Sequence, residues 1–318
     1  MTPREHLLKI VDTVENAIDD FNSGIPSIQN SIVDDLEIAL RELELFPNGR
    51  IKPSVKNLKS IARIKSKIEN IILSNDYEND VSSFTNAFDE ISTLQRDYFE
   101  QIEQSFKPSA LMREMQLQSV DATRDYLLRA GIDANIVNPI QNIMRQNVTD
   151  GVLFGDMMKQ LRVFIAGDAE NVGHLSRYVK TYTTDALNQF SSNYMALAAS
   201  DLGLKWFRYV GVKMDTSREF CVAMVNKRFY HEIELPDLIA GNFTEFRDAN
   251  GSIYSKTGLP DGMVAGTNPD NFQTYRGGWN CQHLPIPVTE QSVPKNKRVS
   301  VYTQYGITFD ENGFATSA

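Results

Sequence analysis

Gly277-Gly278-Trp279-Asn280-Cys281-Gln282-His283-Leu284-Pro285-Ile286-Pro287-Val288 sets paired glycines, a cysteine, a histidine and alternating prolines in one short run. Its counterpart is Asp215-Thr216-Ser217-Arg218-Glu219-Phe220-Cys221. Together the two stretches hold both cysteines of the chain and one of its four histidines. Glycine frees the backbone for tight turns, and alternate prolines keep a segment extended. Both stretches concentrate residue types that fix geometry, so they read as the halves of one folded knot with Cys221 and Cys281 side by side. Arg218 offers a planar fork suited to a carboxylate. Asp215 is expected either as its partner or as a helix N-cap.

Working outward, residues 205–212 are aromatic and β-branched and read as a strand. Residues 217–225 follow as a short helix capped by Asp215-Thr216-Ser217, then a short strand over 227–230. A short helix over 232–239 is interrupted by Pro236. Residues 241–278 are rich in Gly, Asn, Asp, Thr and Ser, a long polar loop of the kind that is usually functional or mobile. The prolines of 284–288 place that segment at a sheet edge. Residues 299–303 and 306–309 read as strands, and 310–314 as a turn in a loosely held tail.

The first half is helical throughout. Leu7, Ile10, Val14, Ile18 and Phe21 recur at three- and four-residue steps. Gly24-Ile25-Pro26 is expected to break this helix before a second apolar series, Ile32 to Leu43, which ends at the turn Pro47-Asn48-Gly49. Two heptad-like runs follow, Val55 to Ile71 and Val81 to Ile102, separated by Ser74-Asn75-Asp76. They read as an antiparallel helical hairpin. A helix over 111–130 is expected to stop at Gly131, and a shorter one carries Pro139. Thr149-Asp150-Gly151 is a turn, and a helix over 154–165 stops at Gly167. The longest helix is expected from His174 to Gly203. The fold class is therefore α+β, with a helical arm or hairpin over 1–110 and a helical bundle over 111–203. A small α+β domain follows over 204–318.

The chain has 318 residues and a net charge of −9, which argues against a general nucleic-acid binder. Two cysteines are too few for a secreted disulfide framework. The start shows no apolar signal region and no stretch is long enough to span a membrane, so a soluble protein made in the cytoplasm is expected. One run departs from the acidic balance: Lys52, Lys56, Lys59, Arg63, Lys65 and Lys67, with no acid between them. It reads as a solvated helix face, or as a contact with DNA phosphates or an acidic partner.

Two chemistries suit the cysteines. Cys221, Cys281 and His283, with His231 or Asp215 as further candidates, have the donor types of a tetrahedral zinc site. Alternatively both cysteines are small buried apolar groups and no cofactor is needed. A cysteine nucleophile with His231 or His283 as base is a third arrangement, but neither cysteine sits in a nucleophile-elbow or papain-like context. An enzyme would have to join Cys or His to acids such as Asp215, Glu232 or Glu234.

The succession of strand 206–211, the Asp215-Thr216-Ser217-Arg218-Glu219-Phe220-Cys221 segment, Lys227-Arg228-Phe229-Tyr230, and Gly277-Gly278-Trp279-Asn280-Cys281-Gln282-His283 before Pro285-Ile286-Pro287-Val288 resembles the C-terminal domain of phage minor head proteins. That family is typified by the F protein of phage Mu. The likeness covers roughly residues 171 to 290. It marks Asp215, Thr216, Arg218, Cys221, Trp279, Asn280, Cys281 and His283 as motif positions. Gln282 stands where the family has arginine and Glu219 where it has proline. Met224 and Val225 lie where some relatives carry another cysteine, which leaves a zinc set one donor short. The resemblance implies a virion component inside the capsid, with the portal and other head proteins as partners and packaged double-stranded DNA nearby. Effector domains fused to some relatives keep a nuclease or transferase as the alternative.

Overall fold

The computed structural model describes residues 3–73, 75–253, 260 and 263–316. The fold is α+β: a largely helical chain with a small antiparallel sheet in its C-terminal part. It divides into two compact units. One comprises Glu15–Ala87 and Gln118–Thr183, the other Met1–Val14, Phe88–Leu117 and Thr184–Ala318. Each is assembled from separate stretches of chain, unlike the three contiguous segments expected. The reason is that long helices contribute residues to both: α1 (Pro3–Leu40), α3 (Asn75–Ile102), α4 (Ala110–Asp125) and α7 (His174–Asp201).

The first unit holds α2 (Val55–Ile72), α5 (Asn138–Asp150) and α6 (Phe154–Ala166) besides parts of the long helices. Gly24-Ile25-Pro26 does not break α1, which makes α1, and not α7, the longest helix. Ile18, Phe21, Ile25, Gln29, Ile32, Leu36 and Leu40 are all buried at steps of three or four, so the stripe passes through the proline in register. Burial of that stripe outweighs the lost proline N–H. At Gly24 the helix passes close to α3: a Cβ there would lie 3.0 Å from the Asp80 carboxylate, a tight contact with the end of a flexible side chain. The polar break at Ser74 lies outside the described residues. In α2 the buried face is Asn57, Ile61, Ile64, Ile68 and Ile72, while Val55 and Leu58 face solvent. This face packs on α5. The basic residues lie on the other side: Lys56 pairs with Glu44 at 2.8 Å and Lys65 with Glu69 at 3.4 Å, and Lys59, Arg63 and Lys67 are exposed.

Gly131 does not end its helix either. The chain stays helical from α4 through two π-helical turns, Tyr126–Ala130 and Asp133–Val137, into α5. At the first turn the Gly131 N–H donates to the Tyr126 carbonyl five residues back, and the Tyr178 hydroxyl donates to that same carbonyl at 3.1 Å. A Cβ on Gly131 would stand 1.8 Å from the Tyr178 oxygen. Glycine is present for the approach of this tyrosine, not as a stop. Gly151 and Gly167, by contrast, take positive φ and end α5 and α6; the stop at Gly167 is as expected, whereas Thr149 and Asp150, expected in a turn with Gly151, belong to α5.

In the other unit, β1 (Trp206–Val210) is the central strand of three. It pairs antiparallel with β2 (Phe229–His231) and β3 (Leu284–Val288). The proline-bearing β3 is an edge, as expected, and the Tyr98 hydroxyl of α3 donates to its Pro287 carbonyl at 2.7 Å. Alternation along β1 sends Phe207 and Tyr209 to one core and Trp206 to another. The first core gathers Phe220 and Met224 of α8 (Glu219–Lys227), Leu238 of α9 (Leu235–Ile239), and Phe243, Phe246 and Phe272. Pro236 lies in the first turn of α9, where no N–H is required, so it begins that helix instead of interrupting it. The polar loop is thus anchored by buried aromatics, the last of them on α10 (Phe272–Tyr275). Residues 254–259 and 261–262 of it lie outside the described residues.

Residues 299–303 are not a strand but part of α11 (Lys295–Tyr305), and 306–309 form no strand. Arg298 explains the helix. It is buried, donates to the carbonyls of Gly313 at 2.9 Å and Asn312 at 2.8 Å, and also bonds those of Val293 and Glu290. Those bonds hold the 310–314 turn against α11, so the tail is tied down. The second core packs Trp206 on Tyr302, whose hydroxyl accepts from the indole N–H at 2.9 Å. His231 packs edge-on to both rings. Its Nδ1 accepts from the Ile233 N–H at 3.2 Å, and the His231 backbone N–H donates to Glu234, which is paired with Lys227 at 2.7 Å.

Gly131→Ala should lower the unfolding free energy by about 1–3 kcal/mol in urea titration, as overpacking does. Gly155→Ala, where a Cβ would meet nothing within 4 Å, should leave it unchanged or raise it by about 0.5–1 kcal/mol. Burial, with Lys205 nearby, pushes the His231 imidazole from 6.5 down to about 4. The folded state therefore resists the proton that the unfolded chain accepts. Stability is full above pH 6.5 and falls as pH drops toward 4. The expected loss, reduced for partial solvent access, is roughly 2 kcal/mol. His231→Asn should show a shallower fall over that window in denaturation series run beside the wild type.

Candidate functional site

The two motif stretches meet. Cys221 lies in the first turn of α8, and Cys281 in the turn preceding β3. Their sulfurs are 3.7 Å apart, and the Nδ1 of His283 is 3.9 Å from the Cys281 sulfur. One donor atom from each of Cys221, Cys281 and His283 fits within 4.8 Å of the others. Tyr209, on the first-core face of β1, directs its hydroxyl at both sulfurs, 3.6 Å from Cys221 and 3.9 Å from Cys281. Its ring stacks on that of His283. Cys221 and His283 are buried and Cys281 is half-buried.

Two glycines make this convergence sterically feasible. A Cβ on Gly277 would stand 2.0 Å from the Cys281 sulfur, and one on Gly211 would stand 2.3 Å from the His283 ring. Gly211 also has φ 153°. Because β1 pairs Val210 with Leu284, the residues just beyond the ladder, Gly211 and His283, are forced together.

Arg218 joins the halves. Its guanidinium donates to the carbonyls of Gly277 at 2.5 Å and Trp279 at 2.6 Å. These carbonyls replace the carboxylate partner expected in Asp215. Asp215 and Thr216 are exposed, and α8 has no side-chain cap from Asp215. Ser217 instead accepts from the Met214 N–H at 2.9 Å and closes the turn. Asn280 takes a left-handed conformation at φ 60°, which asparagine tolerates, and its N–H donates to Asp185 at 2.7 Å. Trp279 contributes its carbonyl while its side chain stays 56% exposed.

Three residues of the site fall outside the motifs. Arg276 is 2% exposed, lies 5.6 Å over the Tyr209 ring, and bonds the carbonyls of Gln273 and His283. Among the described residues it has no carboxylate partner. Asp185 of α7 lines a small cavity with Asn188, Tyr275, Arg276, Trp279 and Cys281. Burial pushes its carboxyl up to about 6, against the lowering effect of the Asn280 N–H. Tyr209 is visible in the sequence only as a member of an aromatic strand. The contact between the two sulfurs, in which either can donate, pushes the Cys221 thiol up and that of Cys281 down. Burial raises both, and His283 adds to the lowering at Cys281.

The acids named for an enzyme site are engaged elsewhere. Glu234 pairs with Lys227, Glu232 lies 3.7 Å from Lys205, and Asp215 faces solvent. His231 belongs to the second core and is not part of the cysteine cluster. No helix among the described residues is long and apolar enough to cross a membrane. Comparison with protein-family models, with curated proteins and with solved structures finds no match to this chain.

Arg218→Ala should cost about 2–3 kcal/mol through two lost charge-assisted bonds, and Arg218→Lys should recover less than half, since an ammonium cannot serve both carbonyls in one plane. Gly277→Ala should cost about 1–3 kcal/mol and separate the sulfurs. Denaturant titration gives the energies, and the yield of a bifunctional thiol cross-link between Cys221 and Cys281 reads the separation.

Proposed function

We propose that this chain is a structural minor head protein of a tailed phage, carried inside the capsid near the portal. There it aids head assembly, DNA packaging or genome delivery. The observation that carries this reading is the junction made by Arg218, which closes the two motif stretches into one knot through the carbonyls of Gly277 and Trp279. The motifs that prompted the resemblance are distant in sequence yet form one structural element. Most motif side chains that the knot uses act on its own backbone and packing. The 38-residue α1, about 57 Å long at 1.5 Å per residue, supplies the extended helical surface that docking on a large assembly requires. The portal protein and other head proteins are the partners in this reading. The exposed Lys59, Arg63 and Lys67 offer a contact for packaged DNA.

The test is co-expression with the portal protein of the same phage genome. The full chain should co-purify with the portal through affinity and size-exclusion steps and appear in purified virions. A folded chain that binds no portal and is absent from virions would overturn the reading. The Lys59→Glu, Arg63→Glu, Lys67→Glu variant should keep portal binding and lose any salt-sensitive DNA retention.

A further inference from the structure

We propose that Cys221, Cys281 and His283 bind one zinc ion. The geometry comes first. Two thiolates about 2.3 Å from a tetrahedral zinc lie about 3.8 Å apart, and a thiolate and an imidazole nitrogen on the same ion lie about 3.6 Å apart. The sulfurs here are 3.7 Å apart, and Cys281 and His283 present donor atoms at 3.9 Å. All three donors lie within 4.8 Å, so the longest separation has to contract by only about 1 Å on binding.

The surroundings are those of a built cradle. Gly277 and Gly211 leave the space that a Cβ would fill beside the sulfur and the imidazole. The Tyr209 hydroxyl faces both sulfurs and can donate to thiolates held by a metal, an orienting contact of the kind ligands usually have. Arg276 is buried beside this cluster over the Tyr209 ring, and among the described residues its hydrogen bonds go to carbonyl and hydroxyl oxygens. Its positive charge favours deprotonated sulfur, which is the ligand form. Two thiolates with one imidazole select zinc over the hard cations, which prefer oxygen. The three side chains leave a fourth position for a ligand from solvent. Because β1, α8 and the turn before β3 each supply part of the set or its support, the ion would cross-link elements that share no covalent bond nearby.

The experiment uses the full chain, purified under reducing conditions without chelator. Elemental mass spectrometry should find about one zinc per chain. Chelator should remove it and lower Tm by roughly 5–10 °C, and zinc chloride should restore both. Cobalt(II) added to the metal-free chain should give the intense near-ultraviolet band of thiolate-to-cobalt charge transfer. His283→Gln, which retains both sulfurs, should weaken zinc binding at least 100-fold, and Cys281→Ser should abolish the band. If Cys281→Ser does not fold, the wild-type cobalt spectrum decides the matter, since the band requires bound thiolates. A wild-type chain that takes up neither zinc nor cobalt would overturn the proposal, as would one whose metal content is unchanged in both variants. A wild-type chain that takes up no zinc or cobalt yet binds the portal would overturn the zinc site alone and leave the structural reading in place.

Discussion

One guanidinium holds the two halves of the C-terminal knot in register. The Arg218 fork reaches carbonyls 59 and 61 residues further along the chain. Closing a loop of that length has an entropic cost that a single neutral hydrogen bond does not offset. Two parallel charge-assisted bonds do more, because they fix orientation as well as distance. With Gly277 and Trp279 so placed, Cys281 has little freedom left. Arg218 directly precedes the first residue of α8, and Cys221 follows within the first turn, so the same contact places the other sulfur. The meeting of the sulfurs is therefore a consequence of the arginine contact and of the missing Cβ at Gly277. It does not depend on any strong attraction between two thiols.

Apolar periodicity locates the helices well, because burial of an apolar stripe is the main force driving them together and depends on spacing alone. Local punctuation is the weaker guide. Gly24-Pro26 and Gly131 both carry the residue types that end helices, and both lie within continuous ones. At Gly131 glycine lets a distant side chain, Tyr178, come near, and at Gly24 the Asp80 carboxylate lies close by. A sequence reader sees the missing Cβ but not the neighbour that fills its space. The same holds for 299–303. Its β-branched composition favours a strand, yet the segment is helical, and Arg298 just before it bonds the 310–314 turn from within that helix. Tertiary partners override propensity of this size readily.

At the site, residue chemistry is legible in the sequence and pairing is not. Cysteines, a histidine and an arginine in two short runs point to a shared location, and Arg218 does act as a fork. Its partner is hidden because carboxylates advertise themselves in a sequence and carbonyls do not. Asp215 and Glu219 are the acids nearest to Arg218 in the chain, yet both face solvent, while the acid that reaches the knot is Asp185 on α7. Arg276 is invisible for a related reason. A buried arginine bonded to main-chain oxygens leaves no complementary charge to find. Tyr209 is within reach of a stricter reading, since it shares a strand face with Phe207.

The knot also holds one large apolar side chain in place without burying it. Trp279 is pinned through its carbonyl by Arg218, and the next residue through its N–H by Asp185. The indole between these two anchors is more than half exposed. Ordering a flexible loop is a major cost of association, and aromatic residues on a preorganised backbone escape much of it. The result is an indole that is ordered and accessible at once, so a contact made through it would carry little of that ordering cost.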